Sequence, residues 1–157
     1  VREVTLAALL HDIGYLQIPE NILNKTTNLT PDEYLIIQKH PLLATESILK
    51  PIKSLENTLP IIKDHHEKWN GTGYPGQKSE RNIHIGSRIV SIADAYQAMT
   101  SKRPFRDAMA HEKALQILQN GAAKDWEEAL ITAFIDLVNN KDTLNIMLDR
   151  RENKTIL

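Results

Sequence analysis

Residues 64–75 read DHHEKWNGTGYP. The stretch closes an apolar run, LPIIKDHH (59–66), and opens a glycine-rich turn, so its simplest reading is a helix that ends in two histidines and gives way to a loop. Neighbours on a helix project about 100° apart. At a helix end both imidazoles can still be aimed at one cation, and Gly71, Gly73 and Pro75 let the backbone pass close beside it. Taken alone, the pair reads equally well as an exposed helix terminus. Residues of matching chemistry stand upstream, at His11 and Asp12, and downstream, at Asp94.

Working outward, residues 54–66 read as one helical run with Leu55, Leu59 and Ile62 on a face and Pro60 near the start of its final segment. Before it, Thr30-Pro31-Asp32-Glu33 is a capping box with proline in the first helical turn, and the helix it starts gives way at His40-Pro41. A second run, LLATESILK, follows. His40 thus falls between two helices, where a side chain can enter a shared cavity; alone, it also reads as a core or surface histidine. Residues 16–29 read as loop with one short helical turn. The opening VREVTLAALLHDIG predicts a central, buried helix stopped by Gly14, with His11 and Asp12 at its C-terminal end. An aspartate there meets the negative end of the helix dipole, which suggests a nearby cation; a capped helix end is the competing reading.

Downstream, residues 69–81 read as loop and 83–100 as a helix carrying Ile85, Ile89 and Ile92, with Ala93 and Gln97 on an adjoining strip. Asp94 lies within it in apolar company, and a buried carboxylate needs a partner, a metal or an arginine. KRPFR (102–106) packs three cations into five residues. Residues 111–120 form a helix stopped by Gly121, and DWEE (125–128) opens another in capping-box fashion with Leu130, Ala133, Phe134, Leu137 and Val138 as its core face. Strand-period alternation and internal repeats are absent, so the fold class is all-α, a bundle of roughly six to eight helices.

The 157 residues suffice for one domain that buries roughly 70% of its unfolded surface. A net charge of -1 and a pI of about 6.7 give no general attraction to a nucleic acid polymer or an anionic membrane, so any anion must be met by a local cluster. There is no cysteine, which restricts a metal to imidazole and carboxylate, a donor set suited to iron, manganese or, less selectively, zinc. No apolar run approaches the ~20 residues of a membrane span. A cytoplasmic location is expected. The chain opens at Val1, inside what already reads as a helix, and is therefore expected to be part of something longer.

HDIGYLQIPENIL, QKHPLLATESIL, DHHEKWNGTGYP and IADAYQAMTSKRPFR occur in the order seen in HD-GYP domains, a branch of the HD phosphohydrolase superfamily, and the resemblance continues through KALQILQNGAAKDWEEALITAFIDL. It implies an N-terminally truncated HD-type helical bundle over residues 1–140, with 141–157 as a helical or frayed tail. The activity it implies is metal-dependent hydrolysis of cyclic di-GMP to the linear dinucleotide or GMP by a hydroxide bridging two metals ~3.5 to 4 Å apart. Carried over position by position, the metal ligands are His11, Asp12, His40, His65, His66 and Asp94, with His11 and Asp12 also the catalytic dyad and Asp12 the bridge. Asp12, His40, His65 and His66 would share one metal; His11, Asp12 and Asp94 would hold a weaker second one, the family's further ligands lying on helices before the dyad. Tyr15, Gly73, Tyr74, Pro75, Arg103 and Arg106 would bind substrate, the arginines through bidentate forks on phosphate.

Three positions depart from the family's pattern. Tyr15 stands where typical members carry lysine and offers a hydrogen bond without a positive charge. Gln97 and Asn70 each replace an aspartate. A second reading follows from Tyr15: a non-hydrolytic module that binds cyclic di-GMP or a diguanylate cyclase domain. An upstream sensory or receiver domain is expected under either reading.

Overall fold

The computed structural model describes residues 1–102 and 107–140; Arg103, Arg106 and residues 141–157 lie outside the described residues. The elements run α1 (Arg2–Leu10), a 3-10 turn (Ile13–Gln17), α2 (Glu20–Leu23), α3 (Pro31–Ile37) and α4 (His40–Leu42), which widens into a π turn (Leu43–Ile48). A 3-10 turn (Lys53–Leu55), α5 (Leu59–Lys63) and a further 3-10 turn (Glu80–Asn82) lead to α6 (Ile85–Thr100), α7 (His111–Asn120) and α8 (Glu128–Asn139). Among the described residues there is no strand, only an isolated bridge between Ala122 and Trp126, so the all-α reading holds.

Local chemistry explains several boundaries. The Thr30 hydroxyl accepts from the Glu33 amide while the Glu33 carboxylate accepts from the Thr30 amide, closing the capping box that starts α3. His84 caps α6 by accepting from the Gly86 amide. Two apolar clusters divide the interior. Ala7, Ala44, Leu49, Leu55, Ile61, Ile62 and Val90 join α1, the π turn, α5 and the first half of α6. Ile92, Leu115, Leu118 and Ile131 join the rest of α6 to α7 and α8. Helix α6 therefore spans both, and the Ser87 hydroxyl ties it to α5 by donating to the Ile61 carbonyl at 3.0 Å.

Four expectations are corrected. Helix α1 is not central: it packs on α5 and α6 through one side, with Ala7 buried and Leu9 76% exposed. The run 54–66 is two pieces, because Pro60, without an amide hydrogen, is confined to the first turn of α5, and His65 and His66 follow the helix rather than lie on it. In α6 the buried positions are Gly86, Ser87, Val90 and Ile92; Ile92 is buried as expected, but Ile85 and Ile89 are exposed, because the face that meets α5 closely carries Gly86 and Ser87. Helix α8 begins at Glu128, two residues later than a capping box at Asp125 places it, and Glu127 caps it without a side-chain hydrogen bond: Asp125 pairs with Lys68, and Glu127 pairs with Arg88. Its one fully buried side chain is Ile131, outside the expected face, while Leu130, Phe134 and Val138 of that face pack half-buried against the same cluster and Ala133 is exposed.

Candidate metal centre

Four segments deliver the histidines and carboxylates to one place. His11 and Asp12 follow α1, His40 begins α4, His65 and His66 follow α5, and Asp94 projects from the middle of α6. His40 and His65 are fully buried, with Nε2 atoms 3.3 Å apart. Asp12 reaches both sides of the cluster, Oδ1 lying 3.5 Å from His40 Nε2 and Oδ2 3.2 Å from His11 Nε2. Its side chain is 51% exposed, so it is the member open to solvent. Asp94 Oδ1 lies 3.7 Å from His11 Nε2.

Two groups of ligand atoms lie mutually within 4.8 Å: His40, His65 and His66, and His11, Asp12 and His65. The division expected from the resemblance placed Asp94 with His11 and Asp12. The second group has His65 Nε2 within reach, while Asp94 Oδ1 lies 3.7 Å from His11; because His65 Nδ1 is taken by the Ile62 carbonyl, its one remaining nitrogen can serve a single ion, and Asp12 is the residue with an oxygen toward each side.

The local backbone explains why these rings face inward. His11, His40 and His65 each set Nδ1 against the carbonyl three residues earlier, Ala8 at 2.9 Å, Ile37 at 2.9 Å and Ile62 at 2.6 Å. In His40 and His65, with Nδ1 donating to a carbonyl, the remaining Nε2 is a lone-pair donor aimed at the cluster, the usual way a protein orients an imidazole ligand; His11 Nε2 takes that role once its proton is displaced. Burial, then the neighbouring His66, holds the His65 imidazole down at about 3. Burial, then His40, holds His66 down at about 4. Burial lowers His40 too, against the pull of the Ile37 carbonyl and Asp12. These three rings are neutral at ordinary pH, as metal ligands must be.

His11 is the exception. Burial acts to lower it, but Asp12 and Asp94 outweigh burial and push it up to about 10. Burial likewise opposes ionisation of Asp12, and His11 overrides that to hold its carboxyl below the usual range. His11 Nε2 is buried with no well-formed hydrogen bond although two carboxylates flank it, so this spot draws positive charge, which the His11 proton supplies in the metal-free chain and a cation can replace. The orphaned nitrogen, the neutral rings and the nitrogen and oxygen donor set fit a divalent first-row metal.

Beside the cluster runs the loop bearing Gly73, Tyr74 and Pro75. Tyr74 faces His66, ring centroids 4.8 Å apart, and its amide donates to the His66 carbonyl at 3.2 Å. Gly73 is required because a Cβ there would overlap the backbone of His66 and Lys68. The Tyr74–Pro75 peptide is cis. Asn70, one of the departures, accepts from the Thr72 amide and hydroxyl at 3.1 and 2.7 Å, a turn its amide oxygen serves as well as a carboxylate would.

Three residues of this region have functions that sequence reasoning did not assign. Glu67, buried, accepts from the Gly76 amide at 2.5 Å and the Lys78 amide at 3.0 Å, and the Lys78 ammonium donates to buried Asp64 at 2.6 Å. The two acids flanking His65-His66 therefore hold the far end of the loop whose other end touches those histidines. Their position beside the histidine pair was the available signal; their burial was not visible. Tyr15 lies flat on His40, centroids 4.3 Å and planes 12° apart. Arg103 and Arg106 lie outside the described residues.

An HD domain model matches residues 1–129. The chain belongs to the HD domain family. A cyclic di-GMP phosphodiesterase of Vibrio cholerae is 34% identical over 135 residues, 82% of this chain and 27% of that protein. One from Thermotoga maritima is 36% identical over 140 residues, 87% of this chain and 38% of that protein. The crystal structure of a cyclic GMP-AMP specific phosphodiesterase from V. cholerae superposes with a TM-score of 0.60 at 20% identity, covering 90% of this chain and 39% of the other, which supports the HD-type fold. With the GYP loop in place beside the histidines, the resemblance to HD-GYP domains is borne out. The chain spans about a quarter to two fifths of the length of these curated relatives.

Proposed function

We propose that this HD domain is the hydrolytic part of a metal-dependent phosphodiesterase acting on cyclic di-GMP, giving the linear dinucleotide or GMP. One observation carries the reading: three carbonyl-anchored imidazoles present Nε2 to a common space that ionised Asp12 borders. The names of the V. cholerae and T. maritima relatives support the substrate.

His40, His65 and His66 would hold one divalent ion, iron or manganese by donor type, and His11 and Asp94 would hold a second, with Asp12 the carboxylate placed to serve both, since His65 has only Nε2 free. The chemistry such ions supply is a water acidified toward neutral pH and neutralisation of charge on phosphoryl oxygens. The chain's own residues do the rest. Asp12, the solvent-facing member, marks the side from which a phosphodiester arrives. Burial pushes the Tyr74 phenol far above its ordinary value, so its hydroxyl stays protonated, a hydrogen-bond donor next to the cluster. Asp64, Glu67 and Lys78 hold that loop in place. Arg103 and Arg106 are assigned to the substrate phosphates on the strength of the family pattern.

The non-hydrolytic module is disfavoured because His40, His65 and His66 are all in place and their rings are neutral. The deciding experiment supplies cyclic di-GMP and Mn²⁺ to wild type and to Asp12→Ala. Turnover by wild type that falls at least 100-fold in the variant is expected; binding without turnover in wild type selects the sensor reading instead.

A further inference from the structure

The 3-10 turn Ile13–Gln17 packs against α4 and the π turn. Gly14 sets the closeness of that contact, since a Cβ there would overlap the His40 carbonyl. The next side chain, Tyr15, then lies parallel to the His40 imidazole at 4.3 Å. His40 is fully buried and its Nδ1 is tied to the Ile37 carbonyl, so one edge of the ring is pinned and one face covered. What remains is Nε2, 3.5 Å from Asp12 and 3.3 Å from His65.

We propose that Tyr15 is a positioning residue of the metal centre: its aromatic face, not its hydroxyl, holds His40 in the plane that presents Nε2 to the cluster. The proposal rests on the reading of this cluster as a metal centre. It gives position 15 a different task from the substrate contact expected there. A ring whose face is taken by His40 acts on a ligand, and, being neutral, it adds no repulsion toward an incoming cation where a lysine would.

The test is Mn²⁺ titration calorimetry on the full chain after chelator treatment, for wild type, Tyr15→Phe, Tyr15→Leu and His40→Ala. Phenylalanine keeps the ring, so affinity within about twofold of wild type is expected. Leucine fills space without an aromatic face, and a loss of about tenfold is expected, the scale on which residues supporting a ligand act. In the metal-free protein the His40 ring-proton resonances should shift in Tyr15→Leu and stay put in Tyr15→Phe. If leucine does not fold, Tyr15→Met carries the same comparison. Wild-type affinity in Tyr15→Leu, with His40→Ala impaired, overturns this proposal and leaves the metal centre standing. A phenylalanine variant as weak as leucine assigns the effect to the hydroxyl and also overturns it. Undiminished binding by His40→Ala overturns the metal-centre reading, and the proposal with it.

Discussion

Each of the three anchored histidines commits Nδ1 to the carbonyl three residues before it, and the pH behaviour of the metal-free chain follows from where that leaves the ring. His65 and His66 sit at about 3 and about 4, below the ordinary 6.5. As pH falls below about 6.5, the unfolded chain takes up protons that these folded imidazoles refuse, so stability declines toward pH 4. His11, raised to about 10, acts in the opposite sense: its contribution is complete below pH 6.5 and fades as pH climbs through 10. In chelator, the melting temperature is therefore expected to be lower at pH 5 than at pH 7, with a smaller difference in His66→Asn; equal values at both pH would contradict the burial of these rings. Glu67 supports the neighbouring loop through two backbone amides. Glu67→Ala leaves both without an acceptor and strands the loop end, an expected loss of about 3 kcal/mol by urea denaturation. The ligand candidates were legible as residue types, because histidine and aspartate carry their chemistry in the side chain. Glu67 and Asp64 were not, because an exposed acid and a buried one are written with the same letter.

Among the elements, the start of α3 followed its sequence signal closely, because the capping box depends on hydrogen bonds within a few residues. The break after it falls at Gln38-Lys39 rather than at His40-Pro41, and His40 is already the first residue of α4, so proline sterics do not place it. Where a boundary or face depended on a neighbouring helix, the pattern misled: α6 turns Gly86 and Val90 inward because α5 lies against it, although Ile85 and Ile89 are the more apolar pair in its first turns. The 3-10 turn after α1 shows the same dependence. Nothing in HDIG indicates that Gly14 must admit the carbonyl of residue 40. Gly14→Ala is expected to lower stability by about 3 kcal/mol, since the obstacle is backbone and cannot swing aside. A denaturation midpoint unchanged from wild type would show that the turn stands further from α4 than described.

At the scale of the molecule, α1, α4, α5 and α6 are held around the first apolar cluster, and the ligand candidates occupy the ends and middles of these same helices. Metal binding and folding are thereby coupled. Mn²⁺ at about 100 times its dissociation constant should add about 2.7 kcal/mol, or roughly 5–10 °C in melting temperature for a domain of this size. The rise should disappear in His65→Ala, a candidate ligand within the His40, His65 and His66 group; a rise preserved there would place the ion elsewhere. No helix among the described residues is long and apolar enough to cross a membrane. By itself the sequence determined the all-helical class, the cysteine-free donor set and the motif order that marks an HD domain, since each is a property of residue identity or of spacing within a few turns. Only the tertiary structure decided that Asp12 lies between His11 and His40, that α1 is one-sided, and that Tyr15 lies on His40. Those outcomes depend on the angles at which helices distant in sequence meet, and such angles are set by side chains packing against one another in three dimensions.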